Sequence, residues 1–351
     1  MDNALLISRT FGEVRMALLQ GGVLTAFQVE RASERGVVGN IYKGKVLRVL
    51  PGMQAAFVDV GLDRAAFLYV GDAVAPAERA ALLADDDRGP AGDEEGAAEL
   101  PPEARGGMAA AAEGEGTDEA AEAVDLGSPR DRIRRKVRIQ DLLKAGDVIV
   151  AQISKDAMRG KGARITRQLT IPGRLLVYIP GSGHVGVSRR VTNPAERVRL
   201  RAVVESRQRP GEGFIARTAC EGRSEDELVA DVEYLRAVIH KVEEGSDPSD
   251  APRLLHEELD LVLRAVRDLL SGEIRRVIVD HPDDLARVRD FVDRFLPRFA
   301  DRIEGWTSDT PLLEEAGVER GVAGALSRKV HLKSGAHLVI DHTEALTAID
   351  V

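Results

Sequence analysis

The sequence predicts a multidomain α+β protein that contains a small β-barrel. Between Gly39 and Val70, short alternating stretches of apolar and polar residues are separated by Gly and Pro, which is typical of barrel strands. After Asn193, apolar residues at helical spacing alternate with short strand-like segments, which indicates a mixed helical part. A chain of 351 residues is long enough for two or more domains.

Composition limits the class of protein. The net charge is −9, but 15 acidic and 3 basic residues fall between Glu78 and Asp125, so the rest of the chain is slightly basic. That window, rich in Ala, Gly and Pro, is expected to be a disordered insertion. The single Cys220 excludes a disulfide framework or a cysteine-based zinc site within the chain. Without a long apolar run or a basic–apolar leader, we expect a cytoplasmic protein with no membrane span.

Basic and aromatic side chains mark the first barrel strands. Lys43, Lys45 and Arg48 alternate along one strand, which predicts that they share a face. Phe57 and Phe67 lie on the next two strands, where they can reach that face. Such a surface binds single-stranded nucleic acid, with phosphates on the cations and bases on the rings. Equally, the rings can be core residues and the lysines can cover an edge strand.

The barrel is expected to resume after the insertion. Asp147–Ile153 and Ala163–Leu169 have the pattern of its remaining strands. The loop between them, Lys155–Gly162, is basic and flanked by glycine, which suits contact with phosphates.

Alternating strands and helices follow the barrel. The loop Pro180–Gly186 fits the dinucleotide pattern G-x-G-x-x-G, but an extended segment follows it instead of a helix, which excludes that function. Helices are predicted to begin after Asn193 and at a capping box of Ser224 with Glu227. The other predicted elements are a strand at Gly213–Ala219, a helix along Leu259–Leu270, a strand at Arg276–Asp280, a helix at Asp284–Phe295, and strands at Val330–Leu332, Leu338–Asp341 and Ala348–Ile349.

A few residues are candidates for chemistry. Asp341, Glu344 and Asp350 lie near the ends of the last strands, where carboxylates can converge on a divalent cation or merely end a strand. Arg217 with Thr218 ends a strand and can hold a terminal phosphate, or can be an ordinary surface pair. The histidines are scattered, and the sequence contains neither a nucleophile elbow nor a phosphate-binding loop.

Six motifs carry a family resemblance. They are NIYKGKV at Asn40–Val46, PGMQAAFVDVGLD at Pro51–Asp63, KGAR at Lys161–Arg164, HVGVS at His184–Ser188, RTA at Arg217–Ala219 and IDHTEALTAID at Ile340–Asp350. Together they resemble the ribonuclease E/G family, whose N-terminal portion the whole chain matches. RGVVGNIYKG and PGMQAAFVD are more similar to its ribonuclease G branch than to ribonuclease E.

The resemblance implies a division into domains. An RNase H-like scaffold without RNase H catalysis would comprise residues 1–36 and 262–326. An S1 (OB-fold) β-barrel would span residues 37–167, with the disordered acidic insertion at about 78–128. A 5′-sensor region would cover residues 168–261, and a DNase I-like catalytic domain would begin within residues 327–351.

The resemblance also implies site residues. The implied RNA contacts on the barrel are Phe57, Phe67, Lys155 and Lys161. The implied pocket for a 5′-monophosphate consists of Arg217 and Thr218, with Gly173 and Val177 at its wall. The implied catalytic residue is Asp350, as the first aspartate that binds Mg²⁺.

The family consists of endoribonucleases that cut single-stranded RNA, prefer a 5′-monophosphorylated end, and act in rRNA and tRNA maturation and in mRNA decay. This sequence stops at Val351, before the family's second metal aspartate and its paired-cysteine zinc link. We therefore expect an incomplete Mg²⁺ site and a chain that is inactive alone, with a homo-oligomer for the full-length protein. The alternative is a non-catalytic RNA-binding fragment.

Overall fold

The computed structural model describes residues 3–75, 137–158, 160–245, 250–332 and 334–351. It divides into two units, one formed by Gly36–Glu258 and one by Met1–Arg35 with Leu259–Val351. The acidic insertion predicted at about 78–128 lies outside the described residues, as does Arg159 of the basic loop. The described residues form a mixed α and β structure, and none of their helices is long and apolar enough to cross a membrane.

The described chain contains both strands and helices. In chain order the strands are β1 (Ala4–Thr10), β2 (Glu13–Gln20), β3 (Val23–Arg31), β4 (Ile41–Leu50), β5 (Ala55–Asp59), β6 (Ala66–Tyr69), β7 (Val148–Lys155), β8 (Arg164–Thr166), β9 (Ile171–Pro172), β10 (Leu176–Tyr178), β11 (Val185–Val187), β12 (Phe214–Ala216), β13 (Arg253–His256), β14 (Arg276–Val279), β15 (Ile303–Gly305), β16 (Lys329–His331), β17 (His337–His342) and β18 (Thr347–Asp350). The α-helices are α1 (Val70–Ala73), α2 (Ile139–Leu142), α3 (Pro194–Arg207), α4 (Glu225–Glu244), α5 (Leu261–Leu269), α6 (Pro282–Phe295), α7 (Leu312–Glu315) and α8 (Val318–Ala325).

The strands β4, β5, β6, β8 and β7 form a closed barrel, which confirms the predicted β-barrel. Closure depends on the length of β4, because its residues 41–45 pair with β7 and its residues 45–50 pair with β5. A closed ring of strands presents no edge to solvent. The interior is filled by apolar residues that alternate along these strands, among them Val46, Val58, Leu68, Ile153 and Ile165.

Gly44 lies in the middle of β4, where β5 approaches closely. A Cβ atom at this position would lie 2.7 Å from Val58 Cγ1, 2.9 Å from the Asp59 carbonyl oxygen and 3.0 Å from Val60 Cγ1. Packed side chains do not tolerate such distances without moving, so the barrel wall requires glycine here.

The strand β13 was missed by the sequence analysis, and it changes the environment of Lys43. β13 pairs antiparallel with the start of β4, where Arg253 is the register partner of Lys43. The Lys43 side chain is fully buried and bonds to the carboxylate of Asp250, which also accepts a hydrogen bond of 2.8 Å from Arg253. The expectation that Lys43 shares an exposed basic face with Lys45 and Arg48 is therefore wrong.

The rest of this unit is a small sheet covered by helices. Its strands lie in the order β11, β12, β10 and β9. α3 begins where predicted, because the Asn193 side chain accepts hydrogen bonds from the next helical amides, and α4 begins with the predicted capping box of Ser224 and Glu227. The sheet and both helices share one apolar core, which includes Leu200, Phe214, Leu228, Val232 and Leu235.

The other unit contains a mixed sheet in the order β15, β14, β1, β2 and β3. β1 and β15 are parallel to β14, whereas β1, β2 and β3 are antiparallel to one another. Two hydrogen bonds of 2.5 and 2.7 Å join the Arg9 guanidinium to the buried carboxylate of Asp284, which ties β1 to α6. β16, β17 and β18 form a separate antiparallel sheet in the same unit.

We predict that Gly44→Ala destabilises the barrel. The added methyl group must displace Val58 or the β5 backbone, and overpacking of this kind costs about 1–3 kcal/mol of unfolding free energy. Urea unfolding followed by circular dichroism measures this change. The matched control is Gly52→Ala, because a Cβ atom at Gly52 has no neighbour within 4 Å. Equal stability of both variants would contradict the close approach at Gly44.

Candidate nucleic-acid interface

Five outward-facing side chains form one row across the barrel strands. Arg48 is the register partner of Phe57, Phe57 of Phe67, Phe67 of Arg164, and Arg164 of Lys155. Register partners lie on the same face of a sheet, so these five residues cross β4, β5, β6, β8 and β7 in that order. We call this set the transverse row. It places two aromatic rings at the centre, one cation on the β4 side and two on the β8 and β7 side.

The two phenylalanines belong to the outer surface and not to the barrel core. Their chain neighbours Val58, Ala66 and Leu68 are fully buried in the interior, whereas Phe57 and Phe67 are half-buried. The ring centroids lie 5.9 Å apart with an interplanar angle of 69°, an edge-to-face contact. The pair therefore offers ring surface to a ligand while remaining fixed by its own contact.

The two predicted lysines lie on the β8 and β7 side of this pair. Lys155 is exposed at the end of β7, and Lys161 is exposed in the loop that leads to β8. That loop is fixed next to Phe67, because the Phe67 amide donates a 2.7 Å hydrogen bond to the Ala163 carbonyl oxygen. At Gly162 a Cβ atom would lie 2.0 Å from the carbonyl oxygen of Ala65, the residue before β6. Glycine is therefore required for this close approach.

Arg48 and Arg164 were not among the predicted RNA contacts. Arg48 is exposed and stands beside Phe57, while Arg164 stands between Phe67 and Lys155. Asp72 accepts hydrogen bonds of 3.1 and 2.7 Å from the Arg164 guanidinium. The carboxylate orients the guanidinium and partly neutralises its positive charge. A signal for Arg48 existed in the alternation of basic residues on β4, but only the register of the strands places it opposite Phe57.

The predicted phosphate pocket surrounds a loop between β9 and β10. Arg217 follows β12, and its Nη1 donates a 2.6 Å hydrogen bond to the Gly173 carbonyl oxygen. The Arg217 backbone amide donates a 2.8 Å bond to the Leu175 carbonyl oxygen. The structure thus brings Arg217 and Gly173 together. Thr218 is exposed, whereas Val177 is fully buried within β10 and contributes no exposed side-chain surface.

The segment after Arg217 is held by Glu196 of α3. The Glu196 carboxylate accepts two hydrogen bonds from Arg199, of 2.8 and 2.7 Å, and one of 2.9 Å from the Gly222 amide. The Arg199 guanidinium, followed by the Gly222 amide, lowers the pKa of Glu196 to about 2. Glu196 therefore remains an anion at neutral pH and fixes the turn that follows Arg217.

Cys220 lies beneath the same loop. Its Sγ donates a 2.9 Å hydrogen bond to the Leu175 carbonyl oxygen, and the side chain is fully buried. Burial, together with the negative charge of Asp231, raises the pKa of the thiol to about 12. Cys220 is therefore a packing residue beneath the β9–β10 loop, protonated at neutral pH.

The carboxylates near the end of the chain lie on the β17–β18 hairpin of the other unit. Val339 is the register partner of Asp350 and Ala348 that of Asp341, so both aspartates occupy one face. Asp341 is paired with the Arg328 guanidinium, which lowers the pKa of the carboxyl. Glu344 is exposed in the intervening turn. Across the described ranges, no three acidic or histidine side chains are grouped closely enough to hold a metal ion.

The barrel indicates the class of fold, because the described Gly36–Glu258 unit contains a closed five-strand barrel of the OB-like type. The sequence model of the Ribonuclease E/G family matches residues 170–351, which is more than half of the chain. The chain belongs to the ribonuclease E/G family, as the motifs predicted.

Curated relatives match nearly the whole chain. It is 37% identical to Ribonuclease G of Escherichia coli (strain K12) over 351 residues, which cover 100% of this chain and 62% of that relative. It is 36% identical to Ribonuclease G of Haemophilus influenzae over 348 residues, covering 99% and 61%. It is 30% identical to Ribonuclease E of Escherichia coli (strain K12) over 342 residues, covering 97% and 28%. The chain thus spans less than two thirds of the length of these relatives.

We predict that Cys220 resists thiol reagents in the folded chain. Near pH 8 its raised pKa leaves little thiolate, and burial blocks access. Labelling with Ellman's reagent should be on the order of a thousandfold slower than in urea. The unfolded chain is the control, because its single cysteine should react fully and release one equivalent of coloured thiolate from the reagent. Equal labelling rates with and without urea would contradict the buried position.

Proposed function

We propose that this chain binds single-stranded RNA on the transverse row of the barrel and recognises a 5′-monophosphate at Arg217 and Thr218, as part of a single-strand-specific endoribonuclease. The observation that carries this proposal is the row itself, with two aromatic rings between cations on a closed barrel. The names of the relatives, Ribonuclease G and Ribonuclease E, support RNA as the substrate.

The row matches the chemistry of a single strand. Bases stack on aromatic faces without regard to sequence, and each such contact contributes about 1–3 kcal/mol. Phosphates carry one negative charge per nucleotide and are attracted by Lys155, Lys161, Arg48 and Arg164. A duplex hides its base faces, so a surface built around aromatic rings selects unpaired RNA.

Recognition of the 5′ end is proposed at Arg217 and Thr218. A guanidinium presents a planar fork of N–H donors that fits two phosphate oxygens, and a hydroxyl adds a third contact. The Gly173 carbonyl oxygen fixes the direction of the Arg217 guanidinium through its 2.6 Å hydrogen bond. Val177 is proposed at the wall of the pocket as a residue of β10, in which its side chain is fully buried.

Asp350 is proposed as an aspartate that binds Mg²⁺ for phosphodiester hydrolysis. Such a cation requires several oxygen ligands around it. Within the described residues Asp350 does not belong to any group of three possible metal ligands. Asp341, on the same face of the hairpin, is already paired with Arg328. The described residues alone therefore do not fit the ion, and their geometry supports binding of RNA without a cleavage step.

The wider assignments are proposals of the same kind. We infer action in rRNA and tRNA processing and mRNA decay in the cytoplasm, as a homo-oligomer in the full-length protein. The RNase H-like scaffold, the 5′-sensor region and the DNase I-like domain are supported by the family membership of the chain. The parallel strands β1, β14 and β15 are compatible with the proposed scaffold.

We predict that Phe57→Ala and Phe67→Ala each weaken RNA binding by about tenfold. Each substitution removes a ring on which a base stacks, worth about 1–3 kcal/mol. Fluorescence anisotropy with a short labelled oligouridylate gives the dissociation constants. The matched control is Phe11→Ala, because Phe11 is a fully exposed ring in the other unit. Unchanged affinity of both barrel variants would exclude the transverse row as the binding surface.

We predict that the chain in Mg²⁺ binds this oligonucleotide without cutting it, and that Asp350→Asn leaves the affinity within about twofold. Denaturing gel electrophoresis detects cleavage, and anisotropy gives the affinity. Cleavage by the wild-type chain that disappears in Asp350→Asn would show that Asp350 and its neighbours suffice for a metal site. That result would favour an enzyme over a non-catalytic RNA-binding fragment.

A further inference from the structure

We propose that Asp231 is the positioning residue of the 5′-phosphate pocket, a role that rests on the proposed function of Arg217. Asp231 lies on α4 and is only 8% exposed, although it is charged. It occupies the apolar side of the helix, between Leu228 and Leu235 in the repeat of core residues. A buried carboxylate in such a position needs a specific set of hydrogen-bond donors.

The donors are three consecutive backbone amides at the end of the pocket loop and the start of β10. The Arg174 amide donates to Asp231 Oδ1 at 3.0 Å, and the Leu175 and Leu176 amides donate to Oδ2 at 2.9 and 2.8 Å. Hydrogen bonds to an ionised acceptor are shorter and stronger than those between neutral groups. One carboxylate on a rigid helix therefore fixes the direction of the loop that connects β9 to β10.

The same loop also fixes Arg217, through hydrogen bonds to carbonyl oxygens of the loop. The Gly173 carbonyl oxygen accepts from Arg217 Nη1 at 2.6 Å, and the Leu175 carbonyl oxygen accepts from the Arg217 amide at 2.8 Å. Asp231 thus fixes the orientation of a short segment through its backbone amides. The carbonyl oxygens of the same segment fix the position of Arg217. A change at Asp231 is transmitted to the guanidinium through two or three residues of backbone.

This arrangement explains why residue 173 is a glycine. A Cβ atom at Gly173 would lie 2.5 Å from Asp231 Oδ2 and 3.0 Å from its Cγ. The carboxylate itself occupies the space that a side chain would need. Gly173 therefore belongs to the pocket because it lets Asp231 approach the loop.

A merely structural role for Asp231 makes a different prediction. It would lower the stability of the unit without altering the relative affinity for two RNA ends. A positioning role changes the preference for a 5′-monophosphate over a 5′-hydroxyl, with little effect on strand binding at the barrel. The ratio of the two dissociation constants separates these cases.

The experiment compares two labelled oligouridylates that differ only in a 5′-monophosphate or a 5′-hydroxyl, using the full chain. We expect Asp231→Asn to lower the wild-type preference by about fivefold or more, because an amide group cannot accept from all three donors. Affinity for the 5′-hydroxyl strand should change by less than about twofold. Leu235→Ala, one turn further along α4, is the control that destabilises the same core and keeps the preference.

A second variant covers the case in which Asp231→Asn does not fold. Gly173→Ala places a methyl group against the carboxylate and should cause the same loss of preference, without additivity when both changes are combined. Preference retained by folded Asp231→Asn or by Gly173→Ala would overturn the role of Asp231 alone. A wild-type chain that shows no preference would overturn the proposed pocket and, with it, this role.

Discussion

The simultaneous pairing of β4 with β5 and β7 is the interaction on which the proposed RNA surface depends. Because the first half of this strand bonds to β7 and the second half to β5, the sheet closes and each outward position acquires a fixed neighbour on the next strand. Side chains alternate between faces along a strand, so a shift of one residue would turn both rings inward. The positions of Phe57 and Phe67 are thus set by backbone hydrogen bonds, and Gly44 is the residue that permits the necessary approach.

The proposed phosphate pocket is built differently, around charged groups with several hydrogen bonds, of which Asp231 is buried. Asp231 accepts hydrogen bonds from three consecutive amides, Glu196 accepts one from the turn that follows, and Arg217 donates to carbonyl oxygens of the β9–β10 loop. Elsewhere in this unit Lys43 is buried against the Asp250 carboxylate. Buried charges such as Asp231 and Lys43 add little net stability, since desolvation offsets attraction. Precision in the pocket therefore comes from satisfied polar groups, whereas the barrel depends on close packing.

Local signals in the sequence predicted local structure well. The Asn193 cap, the capping box of Ser224 with Glu227, and the barrel strands were predicted because each depends on neighbouring residues. The burial of Lys43 was not predictable, because it depends on pairing with β13, which lies some two hundred residues away in the chain. The roles of Arg48 and Arg164 depend on register between strands, which composition does not reveal. For Asp231 a signal did exist, since a charged residue interrupts the apolar repeat of α4.

The strands that carry the transverse row come from both sides of a long stretch of sequence between β6 and β7. β8 pairs with both of these strands, so the row is completed by contacts that do not involve the connecting residues. A change of sequence between β6 and β7 that leaves these strand pairings intact therefore leaves the order of cations and rings on the barrel the same.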